Sequence, residues 1–132
     1  SEVIAYLDQQ KPNPILYLDL KPEHIILCGD RLKLIDFDIA TTVGEGGNPY
    51  QCCGTRGFAA PEQYGVAQSN RATDLYALGV LLNTMITGVH PAVDIPRGPI
   101  RHIVQKATDT QISKRYKSAA AMARALRPYV RL

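Results

Sequence analysis

Two acids and a lysine near the start of the chain have the types and spacing needed for phosphoryl transfer. Asp19 and Lys21 are two residues apart, and Asp36 follows a short apolar segment. In phosphoryl transfer one acid orients the attacking hydroxyl, a cation offsets charge on the transferred phosphate, and a second acid binds Mg²⁺. The pattern therefore predicts catalytic roles for Asp19 and Lys21 and a metal-binding role for Asp36.

The residues around these side chains predict a small β-hairpin. Apolar segments at 25–27 and 32–35 flank the turn pair Gly29-Asp30, and another apolar segment at 15–17 leads into the loop that carries Asp19. Two short strands joined by a tight turn would hold the acidic groups at strand ends.

One segment, residues 73–87, is apolar around its whole circumference and predicts a buried central helix. We expect Thr73 to cap this helix and Gly88 to end it. Residues 41–53 are rich in Gly and Pro and predict a loop. Shorter helices are predicted over residues 1–9 with Val3, Ile4 and Leu7 on one face, over 99–107 with Pro99 first, and over 118–126 with Ser118 as cap and Met122 and Leu126 facing inward.

The composition suits one globular domain. The chain has 132 residues, of which 45% are hydrophobic, so it can bury a core. The net charge of +3 is small and its cations are scattered, which argues against a nucleic-acid partner. No apolar run reaches membrane-spanning length, so no membrane partner is expected. The three cysteines lack metal-site spacing, which favours a reducing cytoplasm.

Five motifs follow one another along the chain: Tyr17-Leu-Asp-Leu-Lys-Pro-Glu-His24, Asp36-Phe-Asp38, Gly54-Thr-Arg-Gly-Phe-Ala-Ala-Pro-Glu62, Asp74-Leu-Tyr-Ala-Leu-Gly79 and a late arginine, Arg115. They resemble, in the same order, the catalytic loop H-R-D-L-K-P-E-N, D-F-G, the P+1 loop with A-P-E, the D-x-Y-x-L-G helix and the late arginine of the eukaryotic-like (Hanks-type) Ser/Thr protein kinases, especially the bacterial ones. The resemblance implies an α+β, mainly α fold: a kinase C-terminal lobe built as a helical bundle around a buried central helix, with a small β-hairpin.

The Gly-rich loop, the V-A-I-K lysine and the αC glutamate of this family are not found in the 132 residues. We therefore expect residues 1–132 to be a partial kinase domain, the C-lobe without its N-lobe. The resemblance implies ATP and Mg²⁺ as cofactors of a complete kinase, and weak or no binding of either by this chain alone.

The resemblance also assigns an activation segment from Asp36 to Glu62 and the contacts that support it. Glu62 and Arg115 would form a buried ion pair, and Asp74 would accept backbone N–H bonds from the catalytic loop. Thr55 would bond both Asp19 and Lys21 through its hydroxyl. The residues assigned to the activation segment and substrate site are Thr55, Gly57, Pro61 and Glu62.

Three departures from the family pattern bear on its chemistry. Leu18 replaces the arginine that would bind a phosphorylated activation loop, and Asp38 replaces the glycine of D-F-G. His24 replaces an asparagine that ligates the second Mg²⁺. Imidazole nitrogen suits transition metals better than Mg²⁺, so a metal role for His24 is doubtful and the alternative is a lone surface or packed histidine.

Three functions are compatible with these observations. The first is the catalytic lobe of a Ser/Thr protein kinase that is inactive when isolated. The second is a pseudokinase or interaction module, and the third is a small-molecule phosphotransferase, a class that also carries an acid at the position of Asp38. The expected partners are a protein substrate or partner, and either an N-lobe or a second copy of the chain bound at the surface near Ile25–Leu27.

Overall fold

The computed structural model describes residues 2–43, 53–65 and 68–130. Helices supply most of the regular structure in these ranges, and the strands are short. The helices are α1 (Glu2–Asp8), α2 (Arg71–Thr87), α3 (Ile100–Ala107) and α4 (Ala119–Leu126); the strands are β1 (Ile15–Leu16), β2 (Ile25–Cys28), β3 (Arg31–Leu34) and β4 (Thr41–Thr42); and single 3₁₀ turns cover Pro22–His24, Pro61–Tyr64, Ile112–Lys114 and Arg127–Tyr129.

The predicted hairpin is present as strands β2 and β3. They pair antiparallel, from Ile25 opposite Leu34 to Cys28 opposite Arg31. The tight turn between them uses Gly29 at a φ of +62°, a conformation that glycine adopts without steric cost. The second strand begins and ends one residue earlier than predicted, so Ile35 lies beyond it.

A second two-stranded sheet was not predicted. Strand β1 pairs antiparallel with β4, which brings Ile15 opposite Thr42. The prediction that a loop begins at residue 41 was therefore wrong for Thr41 and Thr42. Threonine is β-branched and favours strands, but its partner strand lies far away in the sequence. Residues 44–52 of the predicted loop lie outside the described residues.

The central helix α2 begins two residues earlier than predicted, and its cap is Asn70. The Asn70 side chain accepts a hydrogen bond from the Ala72 backbone N–H at 2.8 Å. Thr73, the predicted cap, instead lies inside the helix, where its hydroxyl accepts a bond from the Asn70 N–H at 2.9 Å. Gly88 ends the helix at a φ of +78°, as predicted.

The burial of α2 is less complete than its apolar sequence predicted. Leu75, Val80 and Leu81 are buried, but Met85 is 70% exposed and Ile86 is 48% exposed. Within the described ranges, Met85 and Ile86 in the last turn of α2 are therefore not covered by the core.

The shorter helices follow the predictions with two corrections. On α1, Ile4 and Leu7 are buried whereas Val3 is exposed, because the helix contacts the core along a narrower face than predicted. Pro99 lies at the N-cap of α3 and not inside it. The Ser118 hydroxyl caps α4 by accepting a bond from the Ala121 N–H at 3.1 Å, and Met122 is buried.

The core lies along α2 and includes the loop that carries Asp19. Tyr17 and Leu20 of that loop pack into the same cluster as Leu75 and Leu81 of α2. The candidate site is therefore attached directly to the best-buried helix. No helix in the described part of the chain is long and apolar enough to cross a membrane.

Candidate active site

Asp74 attaches the loop at residues 17–24 to helix α2. Its carboxylate accepts backbone N–H bonds from Tyr17 at 2.7 Å and from Leu18 at 2.8 Å, the contacts that the motif predicted. Burial raises the pKa of Asp74 to about 6, against the lowering effect of these two bonds. The bonds hold the backbone just before Asp19 in a single position.

Asp19, Lys21 and Thr55 form a connected polar group. The Thr55 hydroxyl donates to Asp19 Oδ1 at 2.5 Å, and Lys21 Nζ donates to the Thr55 hydroxyl oxygen at 2.8 Å. Lys21 Nζ lies 3.7 Å from Asp19 Oδ2. Both charged side chains keep partial exposure, 21% for Lys21 and 17% for Asp19. A carboxylate that can accept from a hydroxyl and a cation that can offset phosphate charge are thus placed together and remain accessible.

Asp36 lies at the end of the hairpin, next to His24. Its backbone has a φ of +63°, and its side chain is 43% exposed. One carboxylate oxygen accepts a bond from the Asp38 N–H at 3.3 Å, and the other is 3.3 Å from His24 Nε2. Asp36 thus offers an accessible carboxylate on one side of the His24 ring, whose other nitrogen lies 3.6 Å from Asp19 Oδ2.

His24 is a packed histidine and not a surface one. It is buried, and its Nδ1 lies 2.9 Å from the Asp19 carbonyl oxygen and 3.1 Å from the Tyr17 hydroxyl oxygen. Packing does not exclude a metal role, because Nε2 faces Asp36. Within the described ranges, however, no three His, Cys, Asp or Glu side chains converge closely enough to hold a metal ion by themselves.

Tyr17 is a site residue that the sequence analysis did not assign. Its hydroxyl donates to the Ile35 carbonyl oxygen, and its ring meets Phe37 edge-on at a centroid distance of 5.1 Å. Burial, followed by the charges of Asp19, Asp36 and Asp74, raises the pKa of Tyr17 to about 12. The neutral hydroxyl therefore connects the catalytic loop to the residues around Asp36.

The predicted ion pair between Glu62 and Arg115 is present and buried. Arg115 donates twice to the Glu62 carboxylate, at 2.7 and 2.9 Å, and the Thr73 hydroxyl donates to it at 2.8 Å. Burial alone would raise the pKa of Glu62, but the hydrogen bonds from Arg115 and Thr73 and the Arg115 charge hold it below its ordinary value. The pair joins the segment that follows Thr55 to α2 and to the C-terminal part of the chain.

Gln63 joins the catalytic loop to the activation segment, and the sequence did not indicate it. Its side-chain amide donates to the carbonyl oxygens of Leu18 at 2.7 Å and Cys53 at 3.1 Å, and its oxygen accepts from the Ala60 N–H at 2.9 Å. Glutamine is usually exposed, so only the packed structure reveals this role. Gly54 is required beside it, because a Cβ there would lie 2.6 Å from the Gln63 amide nitrogen.

The remaining predicted residues, Gly57 and Pro61, lie in the segment between Thr55 and Glu62. Gly57 has a φ of +92°, and its carbonyl oxygen is 2.9 Å from His90 Nε2, a contact that the sequence analysis also missed. Pro61 begins the 3₁₀ turn that places Glu62 and Gln63. The structure thus brings Asp19, Lys21, His24, Asp36 and Thr55 together at one centre, and Asp74, Glu62 and Arg115 join the segments around it.

Comparison with known proteins assigns the fold and site to a family. A model of the protein kinase domain matches residues 1–127. Because this match covers almost the entire chain, the chain belongs to the protein kinase family.

Individual relatives agree with the family match. The chain is 40% identical over 94 residues to a cAMP-dependent protein kinase catalytic subunit of Schizosaccharomyces pombe, an alignment that covers 69% of this chain and 18% of the relative. It is 37% identical over 94 residues to a death-associated protein kinase related protein of Drosophila melanogaster, an alignment that covers 68% of this chain and 14% of the relative. It is 34% identical over 96 residues to cGMP-dependent protein kinase 2 of Mus musculus, which covers 72% of this chain and 13% of the relative. The chain thus spans less than a fifth of each of these relatives.

Proposed function

We propose that this chain is the catalytic lobe of a Ser/Thr protein kinase and transfers a phosphoryl group from Mg-ATP to a protein hydroxyl within a complete enzyme. The observation that supports this most strongly is the bridge from Asp19 through the Thr55 hydroxyl to Lys21. It joins the proposed base and cation to a residue of the activation segment, next to which a substrate hydroxyl would bind.

The proposed roles follow from this geometry. Asp19 accepts a hydrogen bond from the substrate hydroxyl and takes its proton, while Lys21 offsets charge on the transferred phosphate. Asp36 would hold the metal ion, which when bound neutralises the phosphate oxygens. Thr55, Gly57, Pro61 and Glu62 position the protein substrate.

We further propose that the 132-residue chain by itself has little activity. Catalysis of phosphoryl transfer depends almost entirely on positioning and electrostatics, and these residues contain no Gly-rich loop or lysine–glutamate pair to grip the nucleotide. The assignment to the C-lobe alone, the bacterial branch of the family, the cytoplasmic location and association with an N-lobe or a second copy stay predictions.

A pseudokinase is the second candidate function, and one contact favours it. His24 Nε2 lies 3.3 Å from Asp36 Oδ2, at the position where the family pattern has a neutral amide. An imidazole nitrogen beside this carboxylate is a poorer Mg²⁺ ligand than the amide oxygen of the family pattern, which would weaken metal binding. Membership of the protein kinase family does not support the third interpretation, a small-molecule phosphotransferase.

The decisive experiment uses the full-length natural protein that contains these residues. Transfer of radiolabelled phosphate from Mg-ATP to a generic basic protein is compared for the wild type and Asp19→Asn. Loss of a general base lowers such rates by about 10²–10⁴-fold, and we expect a decrease in that range. Asp30→Asn, at the exposed hairpin turn, is the matched control and should keep the wild-type rate.

The same assay separates the two functions. A full-length protein that neither binds Mg-ATP by calorimetry nor transfers phosphate would be a pseudokinase. Transfer that survives Asp19→Asn would show that the base is wrongly assigned. Micromolar ATP binding or turnover by the 132-residue chain would contradict the proposal that this chain is inactive alone.

A further inference from the structure

The hydrogen bonds around His24 determine which ring nitrogen carries the proton. Nδ1 is 2.9 Å from the Asp19 carbonyl oxygen, which can only accept. It is also 3.1 Å from the Tyr17 hydroxyl oxygen, whose own proton is directed to the Ile35 carbonyl. Both neighbours therefore require a proton on Nδ1, and in the neutral ring Nε2 is left with a lone pair.

That lone pair faces a carboxylate. Nε2 lies 3.3 Å from Asp36 Oδ2, and the His24 side chain is 90% buried while the carboxylate is 43% exposed. At this distance the two atoms need a shared positive charge between them, which either a proton on Nε2 or a metal ion bound by both atoms can supply. Two ligands each about 2.1 Å from one ion, at angles of 90–110°, lie about 3.0–3.4 Å apart. The observed spacing therefore suits a shared metal ion.

We propose that His24 Nε2 and Asp36 Oδ2 bind one divalent transition ion, and that this site prefers Mn²⁺ to Mg²⁺. The proposal rests on the kinase function proposed above, since it concerns the metal of that site. Mg²⁺ favours all-oxygen ligands, whereas an imidazole nitrogen is a better ligand for transition ions. The pair fits Mg²⁺ poorly for this reason.

The surroundings of His24 are an independent argument for a ligand role. Metal-binding histidines usually donate their second N–H to a carbonyl or carboxylate, which fixes the ring and increases the donor strength of the other nitrogen. The bond from Nδ1 to the Asp19 carbonyl has this arrangement. Because no third His, Cys, Asp or Glu converges here among the described residues, nucleotide phosphates and water would supply the remaining ligands.

The test uses Mn²⁺ alone and Mg²⁺ alone as probes of the full-length protein. Mn²⁺ binding is followed by electron paramagnetic resonance, and competition with Mg²⁺ gives the affinity ratio. We expect Mn²⁺ to bind more tightly, with spin-echo modulation from a coordinated ¹⁴N nucleus. His24→Asn should remove the nitrogen signal and lower the Mn²⁺ preference about tenfold or more. His102→Asn, an exposed histidine on α3, is the matched control and should change neither.

A second measurement uses the wild type and so does not depend on the folding of a variant. If the Mn²⁺ ligand is a histidine nitrogen, labelling the protein with ¹⁵N-histidine must change the nitrogen modulation of the spin echo. Absence of nitrogen modulation in the wild type, or a Mn²⁺ preference unchanged by His24→Asn, would overturn the proposal. Either result combined with normal Mg²⁺-dependent phosphate transfer would leave the proposed kinase function intact. Nitrogen-coordinated Mn²⁺ without phosphate transfer would support the metal site and count against the kinase function.

Discussion

Leu18 and Asp36 are the two non-glycine residues with positive φ angles in the described ranges, at +68° and +63°. Such a conformation is unusual for leucine and better tolerated by aspartate. Leu18 precedes Asp19, and its backbone is bound on both sides, by Asp74 at its N–H and by Gln63 at its carbonyl. At the residue scale, the unusual backbone conformations thus occur at the positions that orient the candidate catalytic and metal-binding side chains.

Replacing Glu62 by Gln should destabilise the protein by about 3–5 kcal/mol, because the buried Arg115 guanidinium would lose its charge partner. The free energy of unfolding in urea at neutral pH measures this loss. Glu23→Gln alters an exposed glutamate near the same loop and should change stability by less than about 0.5 kcal/mol. Equal stabilities of the two variants would show that the ion pair does not support the fold.

Glu62→Gln and Glu23→Gln should also lose different amounts of stability as the pH falls. The pKa of Glu62 in the folded protein lies below its ordinary value of 4.5. Its stabilisation is therefore complete above about pH 4.5 and is lost as the pH falls through the folded pKa. Asp74 acts with the opposite sign: its pKa is raised from 3.8 to about 6, so its contribution is present below 3.8 and is lost as the pH rises through 6. Urea unfolding between pH 3 and 5 should show a smaller acid loss for Glu62→Gln than for Glu23→Gln.

At the scale of elements, helix α2 is defined by its two ends as much as by its apolar residues. Asn70 and Thr73 form a reciprocal pair at the start, and Gly88 ends the helix with its N–H bonded to the Thr84 carbonyl. Thr73 also donates to Glu62, so the first turn connects the helix to the buried ion pair. The start of α2 thereby helps to position the activation segment.

Asn70→Ala should destabilise the protein by about 1 kcal/mol, because the Ala72 N–H at the start of α2 would lose its acceptor. Asn70→Asp keeps an acceptor oxygen at this position and should retain most of the wild-type stability. Urea unfolding of both variants measures the difference. If Asn70→Ala unfolds like the wild type, Asn70 is not the cap on which the helix depends.

At the scale of the whole molecule, two buried clusters share a boundary along α2. One contains Tyr17 and Leu20 of the catalytic loop, and the other contains Ile103 and Met122 of α3 and α4. Leu78 of α2 packs against both clusters. Changes in the packing of α3 are therefore expected to reach the catalytic loop through this helix.

Gly79→Ala should destabilise the protein although alanine is the better helix former. A Cβ at residue 79 would lie 2.6 Å from the Ala107 Cβ and 2.9 Å from a Thr108 methyl carbon. Overpacking of this kind costs about 1–3 kcal/mol, against a helix gain of at most about 1 kcal/mol. We expect a lower urea midpoint, partly restored in the double variant with Ala107→Gly. A single variant as stable as the wild type would mean that α2 and α3 are not in close contact at Gly79.

The local features of this protein were determined by its sequence alone. The hairpin around Gly29, the end of α2 at Gly88 and the cap at Ser118 depend on neighbouring residues, and their positions were predicted to within about a residue. The contacts of Asp74, Thr55 and the Glu62–Arg115 pair were predicted from the motifs of the family resemblance, which identify residues that meet across the fold.

Tertiary structure decided the rest. The partners of Gln63 and His90, the pairing of β1 with β4 and the hydrogen bonds of Tyr17 join segments that local periodicity does not relate. Neither the exposure of Met85 nor the orientation of His24 Nε2 toward Asp36 follows from residue type. Both depend on which surfaces the packed elements cover, and that is a property of the whole fold.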